Sequence, residues 1–257
     1  MKNQTEGRFD ELYGKEYDAI VRLTCPHFNE LQDTVRDSIE EYLQSATRAP
    51  IMRPSIMNVI NVLELGVGTG ETTRRISTLR GPVMVFAVDN SQEMLEIARR
   101  NIERRNPWNI VTGRVILLQA DALDYLKAVP AGTVHVFASA FTLHNFDADY
   151  RSAVLEEICR TLRPGGLFVN ADKYACDDAK QHEKTLRWQL ALTEKKFDEI
   201  NRPDLKKAAL EHFKQDNGRR RLMREGKSKR EMARLGFEKI KTVYREKMEA
   251  TVQAIRR

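Results

Sequence analysis

Residues 62–73, VLELGVGTGETT, constrain the fold of this chain more than any other stretch. The apolar run from Ile60 to Leu63 leads into Glu64, Gly66, Gly68 and Gly70 follow at alternate positions, and a helical pattern comes next. This is the signature of a strand that ends in a tight turn and opens a helix. Glycine enters the left-handed region without steric cost and lets the backbone approach a bound molecule. The same unit repeats downstream. Apolar runs predict strands at 59–64, 83–88, 114–118, 134–139 and 166–171, with helices between them at 71–79, 91–105, 121–128 and 148–162. Alternation of that kind predicts βαβ units and an α/β fold, with a mostly parallel sheet covered by helices on both faces. Ligands of such sheets bind outside the carboxyl ends of the strands, where the glycine turn falls.

Flanking segments divide the chain further. Residues 1–58 are expected to form an N-terminal helical cap, helical over 8–45 with a break at Cys25-Pro26, and Ala46–Pro54 is expected to link it to the core. The α/β core is expected over 59–172. Residues 173–235 interrupt the alternation and predict an inserted helical cover, with Leu186, Leu190, Thr193, Phe197 and Ile200 as its buried stripe. Residues 236–257 are expected to supply strands at 237–244 and 249–256, which complete a seven-stranded sheet after the turn at Gly236.

Cysteine usage and charge exclude several classes. Cys25, Cys159 and Cys176 are scattered with no C-x-x-C pair, so no disulfide framework and no metal site is predicted, and a reducing cytoplasm is the expected compartment. The opening MKNQTEGRFDELYGKEYD lacks a signal-peptide core and no apolar run has spanning length, so neither secretion nor a membrane partner is expected. Much of the net charge of +6 is concentrated in 219–234, beginning with Arg219, Arg220 and Arg221. A solvated helix face is the favoured reading and nucleic acid the alternative. No aromatic residue interleaves there to stack on bases.

The glycine turn can be tested against known loops. The dinucleotide fingerprint G-x-G-x-x-G, counted from Gly66 and Gly68, requires glycine or alanine at position 71, where this chain carries Glu71, a poor neighbour for a pyrophosphate. No Gly-Lys-Ser/Thr follows, so the phosphate loop fails as well. The remaining pattern, Glu64-x-Gly66-x-Gly68-x-Gly70, resembles the first motif of class I S-adenosylmethionine-dependent methyltransferases, and the resemblance extends over roughly residues 59–172. It implies a Rossmann-like fold and S-adenosyl-L-methionine as cofactor, with the glycine turn on its methionine part. Asp89, ending the second strand, is implied to hold the ribose diol, or else caps the helix from Ser91. Asn90 and Met94 are implied to line the adenosine pocket. Asp121 and Ala122 fall where relatives recognise adenine, with a plain helix cap as the rival role for Asp121. Tyr13 and Tyr17 on the first helix either close over the cofactor or pack in the core.

The resemblance also narrows the chemistry. Ala138-Ser139-Ala140-Phe141 stands where amino-methylating nucleic-acid and glutamine enzymes carry D/N-P-P-Y, and no Pro-Cys nucleophile is present. A small-molecule acceptor is therefore expected. His144, in the loop after the fourth strand, is a candidate general base, with packing against the cover as the alternative. His135 replaces an aspartate usual early in that strand and is expected to support the fold. Turn Arg163-Pro164-Gly165-Gly166 is likewise expected to be structural. The runs VDNS, Phe141-Thr142-Leu143 and ADKYACDDAK resemble the carboxy-S-adenosylmethionine synthase subgroup of tRNA wobble-uridine modification. Against that subgroup, Phe28 replaces a ligand-binding tyrosine, Ala140 an asparagine and Lys207 an arginine, which favours ordinary methyl transfer. A non-catalytic RNA- or protein-binding module on the same fold is the remaining alternative.

Overall fold

In the computed structural model the described residues are 16–48 and 59–257. Residues 8–15 of the predicted first helix, Tyr13 among them, and residues 49–54 of the predicted linker lie outside them. Among the described residues seven strands form one sheet: β1 (Ile60–Leu65), β2 (Val83–Asp89), β3 (Val115–Gln119), β4 (Val134–Ala140), β5 (Leu162–Lys173), β6 (Phe237–Glu246) and β7 (Glu249–Arg256). Their order is β3-β2-β1-β4-β5-β7-β6. Strands β1 to β5 run parallel, and β7 runs antiparallel between β5 and β6. The helices are α1 (Tyr17–Thr24), α2 (Phe28–Arg48), α3 (Glu71–Ile76), α4 (Gln92–Arg105), α5 (Trp108–Val111), α6 (Ala122–Ala128), α7 (Ala148–Thr161), α8 (Ala179–Glu199), α9 (Pro203–Asp216) and α10 (Glu225–Leu235).

The period of two in β1 sorts its side chains onto opposite faces. Val62 enters a core formed with α2, α3 and α4, whereas Leu63 and Leu65 enter a second core formed with α6, α7 and α10. All three are at most 2% exposed, as expected for a strand covered on both sides. The strand order reverses between β1 and β4. That reversal leaves a crevice at the carboxyl ends of these strands, and the glycine turn after β1 opens into it.

Between β5 and β6 the chain forms α8, α9 and α10, with α8 and α9 packed on each other and on α1. The buried face of α8 matches the predicted stripe at Thr193 and Phe197 and differs elsewhere. His182, Thr185 and Gln189 also point inward, Leu186 and Leu190 are half-buried, and Ile200 is 46% exposed. Hydropathy misread the face because this interface is polar: Gln189 Nε2 donates to the Thr24 carbonyl at the end of α1 (3.1 Å).

His135 has the supporting role expected of it. Its Nδ1 accepts the Asn61 backbone N–H at 3.2 Å, tying β4 to the start of β1. Burial, reinforced by the nearby Arg163 cation, lowers its pKa to about 4 from 6.5, so the ring is neutral and able to accept. Because the folded-state pKa is depressed, this contribution is present above about pH 6.5 and is lost as pH falls through about 4. His135→Ala should cost about 1–3 kcal/mol at pH 7 by leaving the amide unpaired. In urea titrations across this range, the gap to wild type should shrink on acidification.

Candidate functional site

Three backbone features shape the crevice. Gly66 sits at φ +70°, and a Cβ there would lie 2.0 Å from Thr142 Oγ1 in the loop after β4, so the turn and that loop meet in a way that only glycine allows. Gly68, at φ +53°, faces open space, with nothing within 4 Å of a Cβ position. Phe141, the residue after β4, also takes a left-handed φ of +53°, which is strained for a bulky side chain. It is held there by its N–H to the Ala171 carbonyl (2.8 Å) and by stacking on Phe28 of α2, with ring centroids 5.5 Å apart.

Asp89 connects the walls. Its Oδ2 accepts the Gly68 N–H at 2.8 Å and its Oδ1 accepts the Ser91 N–H at 3.0 Å. The cap of α4 belongs to Ser91, whose hydroxyl accepts the Met94 N–H. Asp89 also lines the crevice.

The N-terminal helices clamp the same turn. Thr69 donates to Asp18 of α1 (2.6 Å), and Thr72 donates to Gln32 of α2. Arg75 bonds Asp33 (2.9 Å) and Asn29 (3.1 Å) of α2. Burial would raise the Glu71 carboxyl, but hydrogen bonds from Arg75 and Arg74 hold it below its ordinary value and keep it ionised.

The resulting cleft occupies about 1020 Å³ with its open mouth included. Gly66, Gly68, Asp89, Asn90, Met94, Ala122 and Ala140 line it, as do Tyr17 and Phe28. Asn145, expected near the substrate approach, is in its wall, and sequence reading assigned no site role to Phe141, Thr142 and Phe146 beside it. Their position directly after β4, at a strand's carboxyl end, was the signal that could have found them.

Three expected cofactor contacts do not line the cleft. Glu64 is buried behind the turn, where Oε2 accepts the Thr73 hydroxyl at 2.8 Å. Gly70 packs against Ala98 of α4, 3.0 Å from its would-be Cβ. Asp121 is the N-cap of α6, accepting from Leu123 (2.9 Å) and Asp124 (3.2 Å), and it also takes the Tyr150 hydroxyl (2.6 Å). The cap role left open in the sequence is thus the observed one.

His144 also stands outside the cleft, in the wall of a smaller cavity that shares Tyr17, Phe141 and Asn145 with it. Its Nδ1 bonds Asp172. Burial pulls its pKa down, yet the Asp172 and Asp216 carboxylates outweigh this and leave it raised. Lys207 is exposed on α9, away from both cavities. Arg220 and Arg221 pair with Asp147 at 3.0 and 3.2 Å, and Arg219 is exposed, so the basic segment is partly neutralised by the core.

The charge of the lining decides between cofactors. Among the described residues the cleft carries two carboxylates, Glu71 and Asp89, and no lysine, arginine or histidine. Glu71 is neutralised by Arg74 and Arg75, so it is Asp89, with no cation in the lining, that suits a cationic, phosphate-free adenosine derivative over a nucleotide phosphate. A family model described as "Methyltransferase domain" matches residues 62–166. The α/β core of this chain is thus similar to the catalytic domain of class I S-adenosylmethionine-dependent methyltransferases.

Curated relatives include carboxy-S-adenosyl-L-methionine synthases. The Vibrio atlanticus protein is 32% identical over 48% of this chain and 48% of its own length. The Vibrio vulnificus (strain YJ016) protein is 24% identical over 80% and 82%, and the Shigella boydii protein 22% identical over 68% and 63%. The matches therefore span less than two thirds of the Shigella and V. atlanticus relatives. Among solved structures, an Aquifex aeolicus SAM-dependent methyltransferase aligns with TM-score 0.55 at 18% identity, over 93% of this chain and 97% of that one. The CurJ carbon methyltransferase aligns with TM-score 0.56 at 15% identity, over 86% and 53%. At these identities the likeness is one of fold. S-adenosyl-L-methionine is the cofactor of this family, and the cleft fits it in charge and in the bare surface over Gly68. No helix among the described residues is long and apolar enough to cross a membrane.

Glu64 offers a test of the packing behind the turn. Burial raises its carboxyl to about 8, against the hydrogen bonds from Thr73, so the folded state favours the protonated form. The associated stability is complete below about 4.5 and is lost as pH rises through about 8. Glu64→Gln should keep the acceptor for Thr73 while removing that loss. Its melting temperature relative to wild type should therefore climb across this window, and a pH-independent difference would contradict the assignment.

Proposed function

We propose that this chain transfers the methyl group of S-adenosylmethionine to a small-molecule acceptor. The observation that carries this reading is the pair of joined cavities: a cleft with a carboxylate-only charge pattern, and a smaller pocket beyond Tyr17, Phe141 and Asn145. The bound cofactor supplies an electrophilic methyl carbon on a sulfonium centre. In this reading the cleft residues Asp89, Asn90, Met94 and Ala122 take the nucleoside, Asp89 accepting its ribose hydroxyls, and Gly66 and Gly68 take the methionine part; their shared lining supports it. Ala140 joins the wall nearest the end of β4. Methyl transfer requires an aligned acceptor and exclusion of water more than it requires a nucleophilic residue. Tyr17 and Phe141 stand between the cavities to serve both needs. Thr24, Cys25, Lys173 and Phe213 in the second pocket give it a mixed surface, sized for a compact molecule rather than a macromolecule.

The curated relatives favour a second reading, a carboxy-S-adenosylmethionine synthase-like activity. Exposed Lys207 is unsuited to hold the extra carboxylate of such a product, whereas half-buried Lys173, in the wall of the second cavity and paired with Asp216, is a cation in that region. Mass spectrometry of ligand released from the purified protein separates the two: S-adenosylmethionine or S-adenosylhomocysteine supports methyl transfer, and a carboxylated cofactor supports the synthase. For either reading, Asp89→Ala should weaken S-adenosylhomocysteine binding by more than about tenfold, or 1.4 kcal/mol. Circular dichroism should show the fold retained, and calorimetry showing unchanged affinity would remove Asp89 from the site.

A further inference from the structure

His144, His212 and Asp216 form a cluster for which sequence spacing gave only half a signal. His212 and Asp216 are four residues apart on α9 and so share a face. His144 reaches them from the 3-10 turn at Leu143–Asn145 after β4. Ligating atoms of all three lie within 4.8 Å of one another. His144 Nε2 is 3.5 Å and His212 Nε2 is 3.3 Å from Asp216 Oδ2. Those separations match the edge of a tetrahedron whose metal–ligand bonds are about 2.1 Å, which is roughly 3.4 Å.

A second observation points the same way. His144 Nε2 is buried with only a long 3.5 Å approach to Asp216 Oδ2, whereas the other ring nitrogen bonds the fully buried Asp172. A carboxylate behind a histidine, fixing its ring and directing the opposite nitrogen forward, is the outer-shell arrangement that orients metal-binding histidines. Asp172 is itself anchored, accepting the His144 N–H at 3.2 Å and the Lys173 N–H at 2.8 Å. We propose that His144, His212 and Asp216 bind a divalent transition-metal ion, with its remaining coordination position facing the second cavity that both histidines line.

The surrounding charges allow it. Lys173 Nζ donates to Asp216 Oδ2 at 3.0 Å, which occupies one lone pair and leaves the carboxylate with others. Asp172 and Asp216 face the Lys173 ammonium and the Arg151 guanidinium, with the Glu249 carboxyl near Lys173, so the neighbourhood carries no excess of positive charge when both histidines are neutral ligands. Two imidazoles and one carboxylate suit zinc, cobalt or iron better than magnesium or calcium. An open position beside the acceptor pocket would place the ion where it can polarise an acceptor oxygen. That use rests on the methyl-transfer reading; the binding itself does not.

Cobalt(II) is the direct probe, because its visible d–d bands report ligand number and geometry. Full-length protein freed of metal should bind one Co²⁺ with the intense bands of a four-coordinate site. His212→Gln should weaken binding at least about tenfold, and Asp172→Asn by about 10–100-fold through loss of the outer-shell carboxylate. His212 has a 17% exposed side chain outside the cofactor cleft, so His212→Gln should keep its circular dichroism spectrum and its affinity for S-adenosylhomocysteine. No saturable Co²⁺ binding by wild type, or binding retained undiminished in His212→Gln, would overturn the proposal. Failure of the cofactor reading would look different: Co²⁺ binding would persist while S-adenosylhomocysteine failed to bind.

Discussion

The cleft depends on the carboxylate of Asp89. It receives the N–H of Gly68 from the turn after β1 and that of Ser91 at the start of α4, so two neighbouring βα connections are fixed by one side chain. Charge-assisted hydrogen bonds of this kind are stronger than neutral ones, and a carboxylate can hold both while offering further acceptor capacity. The same side chain bears on the sign of the site. Glu71 is neutralised by Arg74 and Arg75, so Asp89 and the absence of a lining cation are what favour a sulfonium over a phosphate.

Around that centre the N-terminal helices act as a third wall. Asp18 of α1 and Gln32 of α2 accept hydroxyls from Thr69 and Thr72, on either side of Gly70. Phe28 stacks on Phe141, which holds a left-handed backbone at the junction of the two cavities. Strain at such a position persists only where neighbours fix it, and here the Ala171 carbonyl and the Phe28 ring do so. The wall between cofactor cleft and second cavity is therefore built from α1, α2 and the loop after β4, three segments distant in sequence.

That distance explains what the sequence could and could not reveal. The glycine turn and Asp89 were legible because their constraints are local: positive φ, a strand end, and a helix start within a few residues. Asp121 was legible only as a choice between two roles, and its contact with Tyr150 follows from the packing of α6 against α7. The predicted stripe found Thr193 and Phe197 but missed His182, Thr185 and Gln189, polar residues that hydropathy does not mark as buried. The cluster of His144, His212 and Asp216 unites a strand-end turn with the last turn of a cover helix, and only folding brings them together. Residues Arg219, Arg220 and Arg221 looked like a free basic run because their partner, Asp147, lies at the start of α7.

On the proposed reading the cleft selects an adenosine cofactor that lacks phosphate and carries positive charge. Parallel calorimetric titrations of one preparation with S-adenosylmethionine and with ATP test it most directly. S-adenosylmethionine should bind at a single saturable site, and ATP should bind at least about a hundredfold more weakly, a difference of roughly 2.7 kcal/mol. Comparable or tighter binding of ATP would contradict the account.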